Sequence, residues 1–198
     1  MVINKVPTNE EKDFNKKEFI RLLKDTKREG IDKLIEWLET TDFFDAPASG
    51  RFHGNYAGGL CAHSLCVYDH LLRLSKVYAD QLSTIDKNSL IIVSLLHDLC
   101  KINSYKEDVR NVKVDGKWTQ VPYYCFNPEY YFGGHGGKSV YYAMKYINLS
   151  EAEAAAINSH MGLYDKSQYS QPENVYDQNI LAFLLHVADA ATTYIDKV

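Results

Sequence analysis

Apolar positions recur with a helical period over most of the chain. From about Glu10 to Lys27, Phe14, Phe19, Leu22 and Leu23 share a face and predict a first helix. A second helix follows Gly30, with Ile31, Leu34, Ile35 and Leu38 on one stripe. Pro47, Gly50, Gly54, Gly58 and Gly59 then mark the stretch from Phe43 to Gly59 as loop. Leu60, His63, Val67, Leu71, Leu74 and Tyr78 form another helical stripe, which places His63 inside an apolar face. Leu90 to Leu96 is nearly continuous apolar sequence with Asp86 ahead of it as a cap. It predicts a buried central helix ending near His97-Asp98, with a buried strand as the alternative that periodicity does not exclude.

The character changes from Val109 to Tyr124, where Val112, Val114, Trp118 and Val121 surround Asp115-Gly116. That dipeptide between β-formers predicts a hairpin. Four glycines then surround His135 between Gly133 and Gly137, and a helix is expected from about Lys138 to Ile147. Ser150-Glu151-Ala152-Glu153 is a capping box opening a helix that Gly162 closes after His160-Met161. A last helix is expected from about Asp177 to Asp196, apolar along Ile180 to Val187. The expected fold class is therefore mainly all-α with one small β-hairpin, and no internal repeat or linker divides it.

Composition narrows the class. A chain of 198 residues with 45% hydrophobic and 24% charged positions is globular and long enough to bury roughly 70% of its unfolded surface. The formal charge of −4 argues against a surface that coats duplex DNA. Nine of the 22 basic residues lie between Lys5 and Lys33, read as a solvated helix face. No apolar run is long enough for a membrane span, and the segment from Met1 to Pro7 has no signal-peptide core. Cys61, Cys66, Cys100 and Cys125 form no C-x-x-C pair. They read as reduced thiols, and the expected location is the cytoplasm.

The chemistry is carried by polar groups at positions that a helical core would fill with apolar ones. They are His63, the pair His97-Asp98, His135, His160 and Asp189. Asp189 stands within Leu184 to Ala191, where a carboxylate costs several kcal/mol unless a cation or several donors meet it. Asp98, directly after the apolar run, raises the same difficulty. Two such aspartates with four histidines, each group from a different helix or helix end, point to one buried divalent-metal site. Mixed imidazole and carboxylate donors suit manganese, iron or zinc and disfavour calcium.

The order of these residues resembles the HD-domain superfamily of metal-dependent phosphohydrolases. His97-Asp98-Leu99-Cys100-Lys101 is similar to its signature doublet, and Gly58-Gly59-Leu60-Cys61-Ala62-His63-Ser64 to the segment around its first histidine, notably in HD-type 3′–5′ exoribonucleases. Gly134 to Ser139 and Ile157 to Gly162 resemble the third and fourth motifs. The resemblance implies a single HD domain over 1–198, with N-terminal helices at 1–45, a metal-binding core at 50–195 and a hairpin insertion at 109–124. It implies that His63, His97, Asp98 and Asp189 hold one metal, and that Asp98 bridges to a second completed by His135 and His160. It implies two divalent ions (manganese, iron, zinc, nickel or cobalt), with Asp98 and Lys101 catalytic and Lys101 facing the substrate phosphate. Cys100 departs from the glycine of many relatives.

Arg51 and His53 in the glycine-rich loop, and Lys138 after the third motif, are further candidates for gripping a phosphate, against loop and solvated-helix readings. His70 reads as structural, and so does His186, with support of the site from behind its ligands as the alternative. The aromatics Tyr123, Tyr124, Phe126, Tyr130, Tyr131 and Phe132 either stack a base or sugar or pack the hairpin on the bundle. The expected activity is hydrolysis of a nucleotide or short single-stranded oligonucleotide phosphate ester, with no membrane or duplex partner. An HD-type mixed-valent diiron oxygenase and a catalytically inactive nucleotide-binding module are the alternatives.

Overall fold

The computed structural model describes residues 6–127, 134–164 and 172–198. Tyr130, Tyr131, Phe132 and Gly133 lie outside the described residues. Helix α1 (Asn9–Asp25) begins with a capping box between Thr8 and Glu11 and buries Phe19, Leu22 and Leu23. Phe14 is exposed, contrary to the expected stripe. At 100° per residue it is turned about 140° from Phe19, away from the buried arc. Helix α2 (Ile31–Glu39) buries all four expected positions. Three of the basic residues of this region are paired with acids: Lys16 with Glu39, Arg21 with Glu18 and Asp25, and Arg28 with Glu153.

Helix α3 (Gly59–Val77) packs against α4 (Lys87–Leu96), which also meets α1 and α6. Helix α4 is buried nearly all round, from Ser89 to Leu96 except Ile91, which accounts for the absence of a polar face in its sequence. The helix, not the strand alternative, is what forms, and Asp86 caps it by accepting from the Asn88 N–H at 3.0 Å. A single 3₁₀ turn, Leu99–Lys101, follows the His97-Asp98 pair.

The hairpin pairs β1 (Tyr105–Val114) with β2 (Lys117–Phe126), and Val114 stands opposite Lys117. It is longer than the expected 109–124 because pairing continues to Tyr105 and Phe126. Asp115 and Gly116, at φ of 49° and 81°, form the two-residue turn. Trp118, Val109, Val114 and Phe126 are exposed, so this ribbon does not lay an apolar face on the helices.

Helix α5 (His135–Met144) begins three residues before the expected start, so His135 stands in its first turn. Gly136 explains the early start. A Cβ there would lie 2.0 Å from the Asn158 carbonyl oxygen, so only glycine allows α5 to approach α6 (Glu151–Ser159) this closely. The Ser150 capping box of α6 forms as expected, and Gly162 adopts φ +57° after it.

The expected last helix is three pieces. Helix α7 (Pro172–Gln178) ends before Asn179, whose side chain caps α8 (Ile180–Ala191). A π turn, Thr192–Asp196, follows. Polar Asn179 resets the backbone where periodicity alone continued the helix. One contiguous apolar cluster runs through α1 to α6 and α8. The four cysteines are free thiols, and burial pushes Cys61 up to about 12 and Cys66 up to about 11. Among the described residues no helix is long and apolar enough to cross a membrane.

Candidate metal centre

Five elements bring their polar residues to one interior point. His63 comes from the second turn of α3, His97 and His160 from the C-terminal caps of α4 and α6, and Asp189 from α8. Asp98 stands between α4 and its 3₁₀ turn. His63, His97 and His160 are 0% exposed and Asp98 is 2% exposed. The two cap histidines use the same local device. His97 Nδ1–H donates to the Ser94 carbonyl and His160 Nδ1–H to the Ile157 carbonyl, both at 2.7 Å, satisfying a carbonyl that the helix end leaves free. His63 Nδ1–H donates to the Val198 carbonyl oxygen at 2.9 Å.

A carbonyl only accepts, so in each neutral ring the proton sits on Nδ1 and a lone pair on Nε2. These three Nε2 atoms are buried and have no hydrogen-bond partner. They surround two carboxylates. His63 Nε2 is 3.1 Å from Asp189 Oδ1 and 3.6 Å from Asp98 Oδ2. His97 Nε2 is 3.3 Å from Asp98 Oδ2, and His160 Nε2 is 3.6 Å from Asp98 Oδ1. Three buried imidazole lone pairs aimed at the buried carboxylate of Asp98 and the half-buried one of Asp189 would be satisfied by a cation between them. The donor set thus fits a divalent metal, and the imidazoles carry the carbonyl partners on their far nitrogens that metal-binding histidines use. His135 joins from α5, its ring 6.4 Å from that of His160 and within reach of Asp98.

The charges balance accordingly. Burial pushes the Asp98 carboxyl up, but the Lys101 ammonium and His97 hold it well below the usual carboxylate range. Burial acts the same way on Asp189 and is outweighed by the imidazoles beside it, His63 first, so its carboxyl is held below the usual range. His97 is pushed down by burial, whereas His160 is raised because its interactions with Asp98 exceed its burial. The carboxylates therefore draw positive charge into the cluster, a charge that a divalent metal ion could supply. Lys101 Nζ lies 2.6 Å from Asp98 Oδ2.

The centre forms the floor of a cavity of about 710 Å³ whose other walls include Phe52, His53, Tyr105, Met161, Ala190 and Tyr194. His53 lines it beside His63, with ring centroids 4.9 Å apart. Burial, with the neighbouring His63 and Lys101, pushes His53 down to about 3, which favours its neutral ring. Arg51 is exposed over the Phe52 ring and is not part of the lining. Lys138 is not part of it either. It is 3% exposed, with Nζ 3.4 Å from the Ser104 hydroxyl, so the solvated helix-start reading is overturned by its burial on the inner side of α5. His186 donates through Nδ1 to the His160 carbonyl at 2.6 Å and stacks on Tyr176, supporting a ligand's backbone as its spacing allowed. His70 pairs with Asp196 away from the cavity.

Sequence reading missed the aromatic walls, Tyr105 and Tyr194. Both belong to elements of no regular apolar period, so no local signal was available. It also missed the second role of Glu153, which is 0% exposed and takes Arg28 bidentately at 2.6 and 2.8 Å, with Ser89 at 2.8 Å.

This helical arrangement of His, His-Asp, His, His and Asp ligand types defines a metal-centre class, and the family follows from comparison. The HD domain family model matches residues 61–194, a span from just before His63 to just past Asp189. The chain belongs to the HD superfamily of metal-dependent phosphohydrolases. Comparison with curated proteins and with solved structures found no match.

Proposed function

We propose that this protein is a metal-dependent phosphohydrolase with two divalent ions, acting on a nucleotide or short single-stranded oligonucleotide phosphate ester. The division of the Asp98 carboxylate carries the reading: Oδ2 faces His63 and His97, while Oδ1 faces His160. His63, His97, Asp98 and Asp189 would hold one ion, and Asp98, His135 and His160 the other. Manganese, iron, zinc, nickel and cobalt all suit these donors. When bound, such ions lower the pKa of water and neutralise phosphoryl charge.

The chain's own groups supply the rest. Lys101 Nζ lies 2.6 Å from Asp98 Oδ2 and lines the cavity, a place from which the ammonium would meet charge developing on the phosphoryl group. Phe52, Tyr105 and Tyr194 line the cavity, aromatic side chains of the kind on which a base would stack. The cavity volume falls in the range of small-ligand pockets, which supports a nucleotide or a strand end over a duplex.

Metal analysis of the purified protein, followed by a phosphate-ester screen with each metal, tests the reading. The expected result is about two ions per chain that Asp98→Ala removes, with phosphate release lost alongside them. Normal turnover by metal-checked Asp98→Ala overturns it, as does iron with oxygen consumption and no phosphate release.

A further inference from the structure

Two His–Asp pairs join α3 to the C-terminal elements. His63 meets Asp189, and His70 meets Asp196. The second pair lies seven residues beyond the first on both elements, which is two helical turns. The elements therefore run side by side in the same direction, and the contact of the metal centre is repeated two turns further along. At the repeat a third donor is present. Cys66 precedes His70 by four residues, on the same face of α3, and its Sγ lies 3.7 Å from Asp196 Oδ2. The sulfur, the ring nitrogen and the carboxylate oxygen are all within 4.8 Å of one another. Asp196 is the last residue of the π turn that follows α8.

The geometry points to a second metal site, separate from the cavity, in which Cys66, His70 and Asp196 bind one zinc ion. One thiolate, one imidazole and one carboxylate make three tetrahedral ligands and leave a fourth position for water or an outside donor. The sulfur separates this site chemically from the imidazole–carboxylate centre, so zinc is preferred here over harder ions such as manganese. Binding replaces the hydrogen bonds that now link Cys66 and His70 to Asp196 and releases the thiol proton. The consequence reaches the first centre. Zinc ties residues 192–196 to α3, and two residues later Val198 supplies the carbonyl that orients His63. The site is a clip on the segment that holds a metal-centre histidine.

The experiment uses the full chain stripped of metal and then titrated with cobalt and zinc. The expected result is a thiolate-to-cobalt charge-transfer absorption that zinc abolishes. Cys66→Ser and His70→Gln should lose that band and about one zinc per chain. Asp98→Asn and Cys100→Ser should keep both, which separates this site from the cavity centre whatever the protein's activity. Should Cys66→Ser fail to fold, alkylation of the wild-type chain gives the same answer: zinc should slow labelling of Cys66 roughly tenfold or more, located by peptide mass. A band that persists in Cys66→Ser, one that disappears in Cys100→Ser, or Cys66 labelling indifferent to zinc overturns the proposal.

Discussion

Asp98→Asn is the most informative single change because Asp98 sits at the junction of every charge in the centre. The substitution keeps the shape and removes the negative charge that faces three imidazole nitrogens at 3.3–3.6 Å and the Lys101 ammonium at 2.6 Å. Lys101 is only 7% exposed, so the metal-free variant leaves a buried ammonium without its counter-charge. Breaking a buried pair in this way costs about 3–5 kcal/mol. Metal works in the opposite direction on the wild type. Free metal at 100 times its Kd stabilises the folded chain by about 2.7 kcal/mol. For a chain of this size that raises Tm by about 5–10 °C. Differential scanning calorimetry with and without manganese, an ion the thiolate site disfavours, should show that rise in the wild type and none in Asp98→Asn, whose starting Tm is lower. Adding Lys101→Met separates the two effects, since the double variant carries neither charge: it should recover much of the metal-free Tm and still show no rise with metal. Asp98→Asn with an undiminished metal-dependent rise and an unchanged ion count would refute the central placement of this carboxylate.

Lys101→Met alone should retain metal while losing at least about tenfold in kcat on any phosphate ester that is turned over, checked by metal analysis alongside steady-state kinetics. Gly136→Ala should force α5 off the Asn158 carbonyl, shift His135 from His160 and lower the number of bound ions, with a Tm loss readable by circular dichroism. Glu153→Gln should cost about 3 kcal/mol in urea denaturation by stranding Arg28. The same residue gives a pH signature. Burial favours the protonated acid, but hydrogen bonds from Arg28, Ser150 and Ser89 hold the Glu153 carboxyl below its ordinary value of 4.5. As pH falls the unfolded chain takes up that proton first, so the stabilisation is complete at neutral pH and is lost below about pH 4.5. Glu153→Gln should flatten that part of the stability profile.

The ligand types were legible because burial makes them conspicuous. An aspartate in the run Leu184 to Ala191, and another closing Leu90 to Leu96, contradict their surroundings unless something charged meets them. Likewise Asp115-Gly116 specified its turn and the Ser150 capping box specified a helix start, since both are settled within four residues. The last helix was misread as continuous because the break at Asn179 depends on a side-chain cap that competes with an unbroken apolar stripe. Lys138 was read as solvated because local sequence does not show that Ser104, 34 residues away, covers its ammonium. The two-turn repetition of His63–Asp189 at His70–Asp196 was invisible for the same reason. Sequence alone determined which residues cannot be buried without partners, because that cost is a property of the side chain and its neighbours along the chain. Only the tertiary structure decided which partners they meet, because the pairing of α3 with α8 and the approach of α5 to α6 depend on packing between segments far apart in the chain.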